Sequence, residues 1–121
     1  MITGIISEKL DPVLNDVFAR RADGALISVR TILDTGFNGA FCMPRKILEQ
    51  MVLKPVSVEL YELADGSLVA EQNYTGEIIV DNQPYIAELS GTDSDTALMG
   101  MAMLLEKEAI FNLKDMTVKV I

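Results

Sequence analysis

The chain has 121 residues, half of them hydrophobic, which by size implies a single domain over 1–121 with a real core. Its 18 acids against 10 bases give a formal charge of -8, which argues against nucleic acid or an anionic membrane as the main partner. There is no histidine, which excludes Ser-His-Asp and Cys-His catalysis and the common histidine zinc sites, and the lone Cys42 excludes an intrachain disulfide.

From the start, Ile2, Ile5 and Ile6 surround Gly4, and Val13-Leu14 and Val17-Phe18-Ala19 follow Asp11-Pro12. These predict two strands broken near the proline, which lacks a donor and biases its predecessor to extended geometry. No basic region precedes a long apolar run here, and no window approaches about eighteen apolar residues, so the expectation is a soluble, cytoplasmic protein with no membrane partner. Asp23-Gly24 predicts a hairpin into Ala25-Leu26-Ile27-Ser28-Val29, and the next strand is expected from Val29 to Leu33.

That strand delivers Asp34 to a sharp turn, Asp34-Thr35-Gly36-Phe37-Asn38-Gly39, in which glycine and Asn-Gly tolerate positive φ. An ionised carboxylate at the end of an apolar strand loses hydration unless it is paired, so its presence asks for a reason. Ala40-Phe41-Cys42-Met43 is a further short strand, in which Cys42 reads as a small hydrophobe rather than a nucleophile. Pro44 then opens a short helix with Ile47, Leu48 and Met51 on its inner face.

From Val56 the period becomes two, with Val58 and Leu60 alternating with Ser57 and Glu59 toward a hairpin tip at Ala64-Asp65-Gly66-Ser67. A second pair, Gly76–Val80 and Tyr85–Leu89, is expected around Asp81-Asn82-Gln83-Pro84. Asp93 and Asp95 stand in a polar loop with Thr92 and Ser94 and read as a solvated turn. Ala97-Leu98-Met99 is a buried strand that passes through Gly100 into a second short helix, whose methionines read as core filler, and two last strands end the chain. The sum is a mostly β, closed barrel-like domain with one or two short helices.

Three readings of the Asp34 turn compete. A calcium loop is matched by Asp34, Asn38 and Gly39 but fails where Gly36 and Arg45 replace ligands. A plain capped turn accounts for Asp-Thr-Gly alone. The third reading rests on more residues: Ile32-Leu33-Asp34-Thr35-Gly36, the hairpin tipped by Ala64, Asp65, Gly66 and Ser67, and Leu98-Met99-Gly100, in that order. Together they resemble the retropepsin-like (clan AA) aspartic proteases, over roughly Val17 to Ile121.

The resemblance implies an aspartic endopeptidase that needs no cofactor, no metal and no histidine. Two carboxylates share one proton, one acting as base on a water and the other donating to the scissile carbonyl. A single Asp-Thr-Gly then implies a homodimer in which each subunit contributes Asp34 at the two-fold axis. By the same resemblance Thr35 braces the paired turns across the axis, Gly36 offers backbone groups, and residues Ala64 to Ser67 form a flap over an extended peptide or protein substrate. The strand-like termini, Met1 to Ile6 and Thr117 to Ile121, become candidates for pairing between chains. Viral relatives commonly brace this turn with an acid and an arginine, where this chain has Asn38 and Met101, and the tip has one glycine rather than several. An inactive peptide-binding or dimerisation module is therefore the rival, and the charge of -8 disfavours strongly acidic peptides in either case.

Overall fold

The computed structural model describes every residue, Met1–Ile121. In chain order it forms β1 (Ile2–Ile6), β2 (Pro12–Leu14), β3 (Val17–Arg20), β4 (Leu26–Ser28), β5 (Thr31–Leu33) and β6 (Phe41–Pro44). Helix α1 (Arg45–Leu48) leads to β7 (Lys54–Glu62), β8 (Leu68–Val80), β9 (Gln83–Thr92) and β10 (Ala97–Met99), then a 3-10 turn at Met101–Leu104, β11 (Ala109–Asn112) and β12 (Thr117–Val120). The fold is thus mostly β with two short helical segments. No helix is long and apolar enough to cross a membrane.

All twelve strands belong to one sheet, ordered β11-β12-β1-β2-β5-β10-β6-β9-β8-β3-β4, with β7 hydrogen-bonded to β8 alone. The pairing runs from β11 to β4 without rejoining, so the ladder is open where a closed barrel was expected. The terminal strands also differ from expectation. β1 pairs with β12, Ile2 opposite Val120, and its other edge is taken by β2, while β12 is flanked by β1 and β11. The termini therefore pair with each other inside the chain, and no edge of either is left for a second chain.

Two strands of the sequence reading are divided. Asn15-Asp16 adds a break between β2 and β3, with Asp16 at φ 53, a conformation that short polar side chains tolerate. The expected Val29–Leu33 strand changes partner midway. Val29 donates its N–H to Val17 O at 2.9 Å, beside the β3–β4 hairpin, while Thr31 onward pairs with β10. The turn between β8 and β9 is shorter than expected: Asp81 and Asn82, at φ 50 and 60, connect Val80 directly to its partner Gln83.

The core is a single cluster that includes Leu14, Val17, Leu33, Phe41, Met43, Ile78, Leu89, Met99 and Val118. Leu48 and Met51 join it from the α1 side, as their spacing predicts. β8 carries the chain out of this core. Tyr74–Val80 pair with β9, and Val17–Ala19 cover the far end, but Leu68–Asn73 have only β7 beside them. Burial follows the pairing, from exposed at Leu68 to fully buried at Val80. The β7–β8 hairpin thus projects from the body, and Val56, Val58 and Leu60, the period-two apolar set, are exposed rather than core, Leu60 to 67 %.

Candidate functional site

The Asp34 turn and the Leu98-Met99-Gly100 run, far apart in sequence, meet in one small structure. β10 lies between β5 and β6, parallel to the first with Met99 opposite Leu33, and antiparallel to the second with Met99 opposite Phe41. Two apolar residues before each turn are therefore what the sequence needs there, because both strands run through the core. The junction is continued by backbone bonds. Asp34 N–H donates to Met99 O at 2.9 Å, Gly100 N–H to Ala40 O at 2.8 Å, Met101 N–H to Phe37 O at 2.8 Å, and Ala102 N–H to Gly39 O at 3.2 Å.

Gly100 is demanded by contact rather than by dihedral angle. Its backbone is extended, at φ -102 and ψ -175, which any residue adopts. A Cβ there would stand 2.3 Å from Gly39 O and 2.6 Å from both Phe37 O and the Phe37 ring. The loop after Asp34 rests directly on the Gly100 backbone, so the second motif acts as the seat of the first.

Asp34 itself is half-buried, and one carboxylate oxygen, Oδ1, accepts the Gly36 N–H at 2.9 Å. Phe37 N–H donates to Asp34 O at 3.2 Å, which closes the turn. Thr35, Gly36 and Asn38 are exposed. No cluster of three or more metal-ligating side chains occurs in the molecule, and none of the residues around Asp34 completes one.

The hairpin tip is ordered by its own side chains. Gly66 takes φ 84, Leu63 N–H donates to Ser67 O at 2.8 Å, and Asp65 Oδ1 accepts both Ser67 N–H at 2.9 Å and Ser67 Oγ at 2.6 Å. The Ser67 hydroxyl first, and its N–H second, hold the Asp65 carboxyl below the usual aspartate range.

A cleft of about 650 Å³ separates the Asp34 loop from the hairpin. Gly36 to Phe41 form one wall, with Ala102 beside them, while Glu59, Tyr61, Asn73, Glu88 and Ser90 rise from the sheet opposite. Of the residues that the resemblance assigns to the site, Gly36 lines this cleft, and Asn38 and Gly39 of the same turn line it too. Asp34 and Thr35 lie next to it in the chain, and Ala64 to Ser67 and Leu98 to Gly100 do not line it. The sheet side was missed. Its residues fall on one face because Ser57 opposes Asn73, Glu59 opposes Glu71, and Thr75 opposes Glu88, a set of registers that alternation alone cannot supply.

Charges here are arranged in two groups. Tyr61 Oη donates to Glu59 Oε2 at 2.8 Å, and that bond, with partial burial second, raises the phenol above the ordinary tyrosine range. Glu71 is bound instead by Arg45 at 3.0 Å, which also reaches Asp93 at 2.9 Å, and these bonds raise the guanidinium further above its already high value. Asp93 and Asp95 are solvent-exposed, the latter facing Lys46 at 3.7 Å, as a solvated loop should be. Cys42 is half-buried in β6 between Leu98 and Ser90 of the flanking strands.

No protein-family model and no curated protein matches this chain. Among solved structures, the chain is similar to a foamy viral protease-reverse transcriptase in complex with an RNA/DNA hybrid, with a TM-score of 0.54 and 13 % identity. The match covers 76 % of this chain and 12 % of that one, so this chain spans a small part of the viral protein's length. At that identity the likeness concerns the fold: a mostly β arrangement shared with a protein that includes a protease.

Proposed function

We propose that this chain is a homodimeric aspartic endopeptidase that hydrolyses extended polypeptides through a water held between two Asp34 carboxylates, one from each copy. One carboxylate takes a proton from the water as its oxygen attacks the scissile carbonyl, while the other, protonated, donates to the carbonyl oxygen. Collapse of the tetrahedral adduct then passes a proton to the leaving nitrogen and releases an acid and an amine. Thr35 braces the two turns against each other, Gly36 presents backbone groups to the peptide, and Ala64, Asp65, Gly66 and Ser67 close over it as a flap. The chain supplies no histidine that could do this work.

The observation that carries the reading is the seating of the Asp34–Ala40 loop on Met99–Ala102, through four backbone bonds, at the rim of a cleft faced by a projecting hairpin. The fold shared with a protease-containing viral protein supports it. The test is cleavage of an unfolded protein substrate by the wild-type chain and by Asp34→Asn, from mildly acidic to neutral pH, with the mass in solution measured alongside. Asparagine keeps the Oδ1 acceptor for Gly36 N–H, so the fold should survive while cleavage is lost. Equal rates overturn the proposal.

One feature favours the rival reading of an inactive peptide-binding or dimerisation module. Met101 donates its backbone N–H to the loop, the residue is 43 % exposed, and Asn38 is exposed as well, so no ionic brace stiffens the turn. Tight peptide binding without turnover would select that reading.

A further inference from the structure

Shared-proton chemistry at Asp34 needs a second copy of the chain, yet both edges of each terminal strand are taken within one copy. A free edge lies further along the segment that seats the Asp34 loop. From Gly100 the chain passes through the 3-10 turn at Met101–Leu104 into β11, which ends the sheet and has β12 as its one neighbour. Glu108 and Ile121 exchange both backbone bonds, at 3.0 and 2.9 Å. By the alternation of an antiparallel ladder, Ile110 and Asn112 then point their backbone groups at β12, while Ala109 and Phe111 point theirs outward. Natural edges are blunted by charge, proline or a bulge. Ala109-Ile110-Phe111-Asn112 has none of these, whereas β7 has all three.

The surroundings of this edge suit a copy of itself. Ile110 and Phe111 are 38 and 40 % exposed, and Leu105 and Leu113, before and after the strand, are more so. Two chains at -8 repel each other, but from Leu105 onward Lys107, Lys114 and Lys119 balance Glu106, Glu108 and Asp115, so the acid excess lies elsewhere. We propose that two copies join by antiparallel pairing of β11 with β11 of the second copy, centred on Ile110. In that register Ala109 of each copy faces Phe111 of the other, and every outward N–H meets an outward C=O; other registers within the strand leave some unmatched. The two Ile110 residues form a non-hydrogen-bonded pair, the closer kind, and pack on each other, while Phe111 lies on Ala109 of the second copy. The pairing is self-complementary under a two-fold axis, the symmetry that two Asp34 carboxylates require. It also ties the two seats, and through them the two Asp34 turns, into one ladder.

The inference rests on the peptidase reading for its second copy, and crosslinking separates the two. In a Cys42→Ala background, Ile110→Cys is oxidised with copper phenanthroline and run on a non-reducing gel. Facing Cα atoms of such a pair stand about 4.5 Å apart, inside the roughly 4.4–6.8 Å that a disulfide spans, so most of the chain should become a linked dimer. Ile27→Cys, at the centre of β4 on the opposite edge of the sheet, should give little. Ala109→Pro removes an N–H that the single chain does not use, at an edge position where proline is tolerated. Its far-UV circular dichroism should match the wild type, while sedimentation velocity should show a dimer Kd raised about tenfold or more. No more linkage at Ile110 than at Ile27, an unchanged Kd in a folded Ala109→Pro chain, or a wild type that stays monomeric at every concentration overturns the inference. Linkage at Ile110 with no cleavage by the wild-type chain retains it and overturns the peptidase. Cleavage that persists undiminished in Ala109→Pro does the reverse.

Discussion

Replacing Gly100 by alanine tests whether the loop that carries Asp34 is held by its seat. The extended backbone at Gly100 accepts alanine without dihedral cost, so any penalty is steric. The new methyl would lie 2.3 Å from a carbonyl oxygen and 2.6 Å from another, both backbone atoms of the same loop, and neither can move without lifting the loop. Overpacking of this kind costs about 1–3 kcal/mol. If the loop lifts instead, three bonds from Gly100, Met101 and Ala102 to Ala40, Phe37 and Gly39 are stretched, at about 1 kcal/mol each. The expected cost is therefore about 1–3 kcal/mol, a large share of the roughly 5–15 kcal/mol that stabilises a domain. Urea unfolding followed by far-UV circular dichroism measures it, with Gly66→Ala as the contrast. Gly66 has open space around it and φ 84, so its cost is conformational only, about 1 kcal/mol. Should Gly100→Ala fall within about 0.5 kcal/mol of the wild type, as a surface substitution does, the seat is not rigid and the argument from contact fails.

Acidification should loosen the hairpin tip. The folded-state value of Asp65 is depressed, so the stability it contributes is present above the ordinary aspartate value and is lost as pH falls through the lower, folded one. In Ser67→Ala the main cause of the depression is gone, and the midpoint of the Asp65 titration, followed by the amide shifts of the tip in NMR, should move up toward the ordinary value. Arg45→Gln should cost about 0.5–1 kcal/mol at low salt and less at high salt, because both of its ion pairs are substantially exposed; unfolding free energies at the two salt concentrations check this.

What could be read from the sequence was local. Asp65-Gly66 and Asp23-Gly24 announce hairpins because the turn conformations need those residues, and both hairpins are present. The pairing of Ile32-Leu33 with Leu98-Met99 was reachable too, since apolar strands that each end in a tight turn suit the same buried layer. The cleft was not legible. Glu59, Asn73 and Glu88 share a face only through the registers of two strand pairs, and one residue of slip would send each to the other side. Val56, Val58 and Leu60 announced their hairpin, but alternation tells which residues share a face and not whether anything covers it, and here that face is exposed. The Asn15-Asp16 break and the division at Val29 depend on where neighbouring strands stop, a property of the assembled sheet.

The hairpin that projects from the body carries an obligation of its own. β7 is nine residues long, has one hydrogen-bonded neighbour, and presents valine and leucine to water. Strands of that description are where cross-β stacking begins, since another copy can extend the open ladder. Three features oppose this. Pro55 has no N–H to offer, the register shift between Pro55 and Ser57 turns the strand, and self-paired copies would gather Glu59 and Glu62 into one ladder in chains already at -8. The acids of this arm thus oppose edge-to-edge stacking, and Glu59 lines the cleft as well.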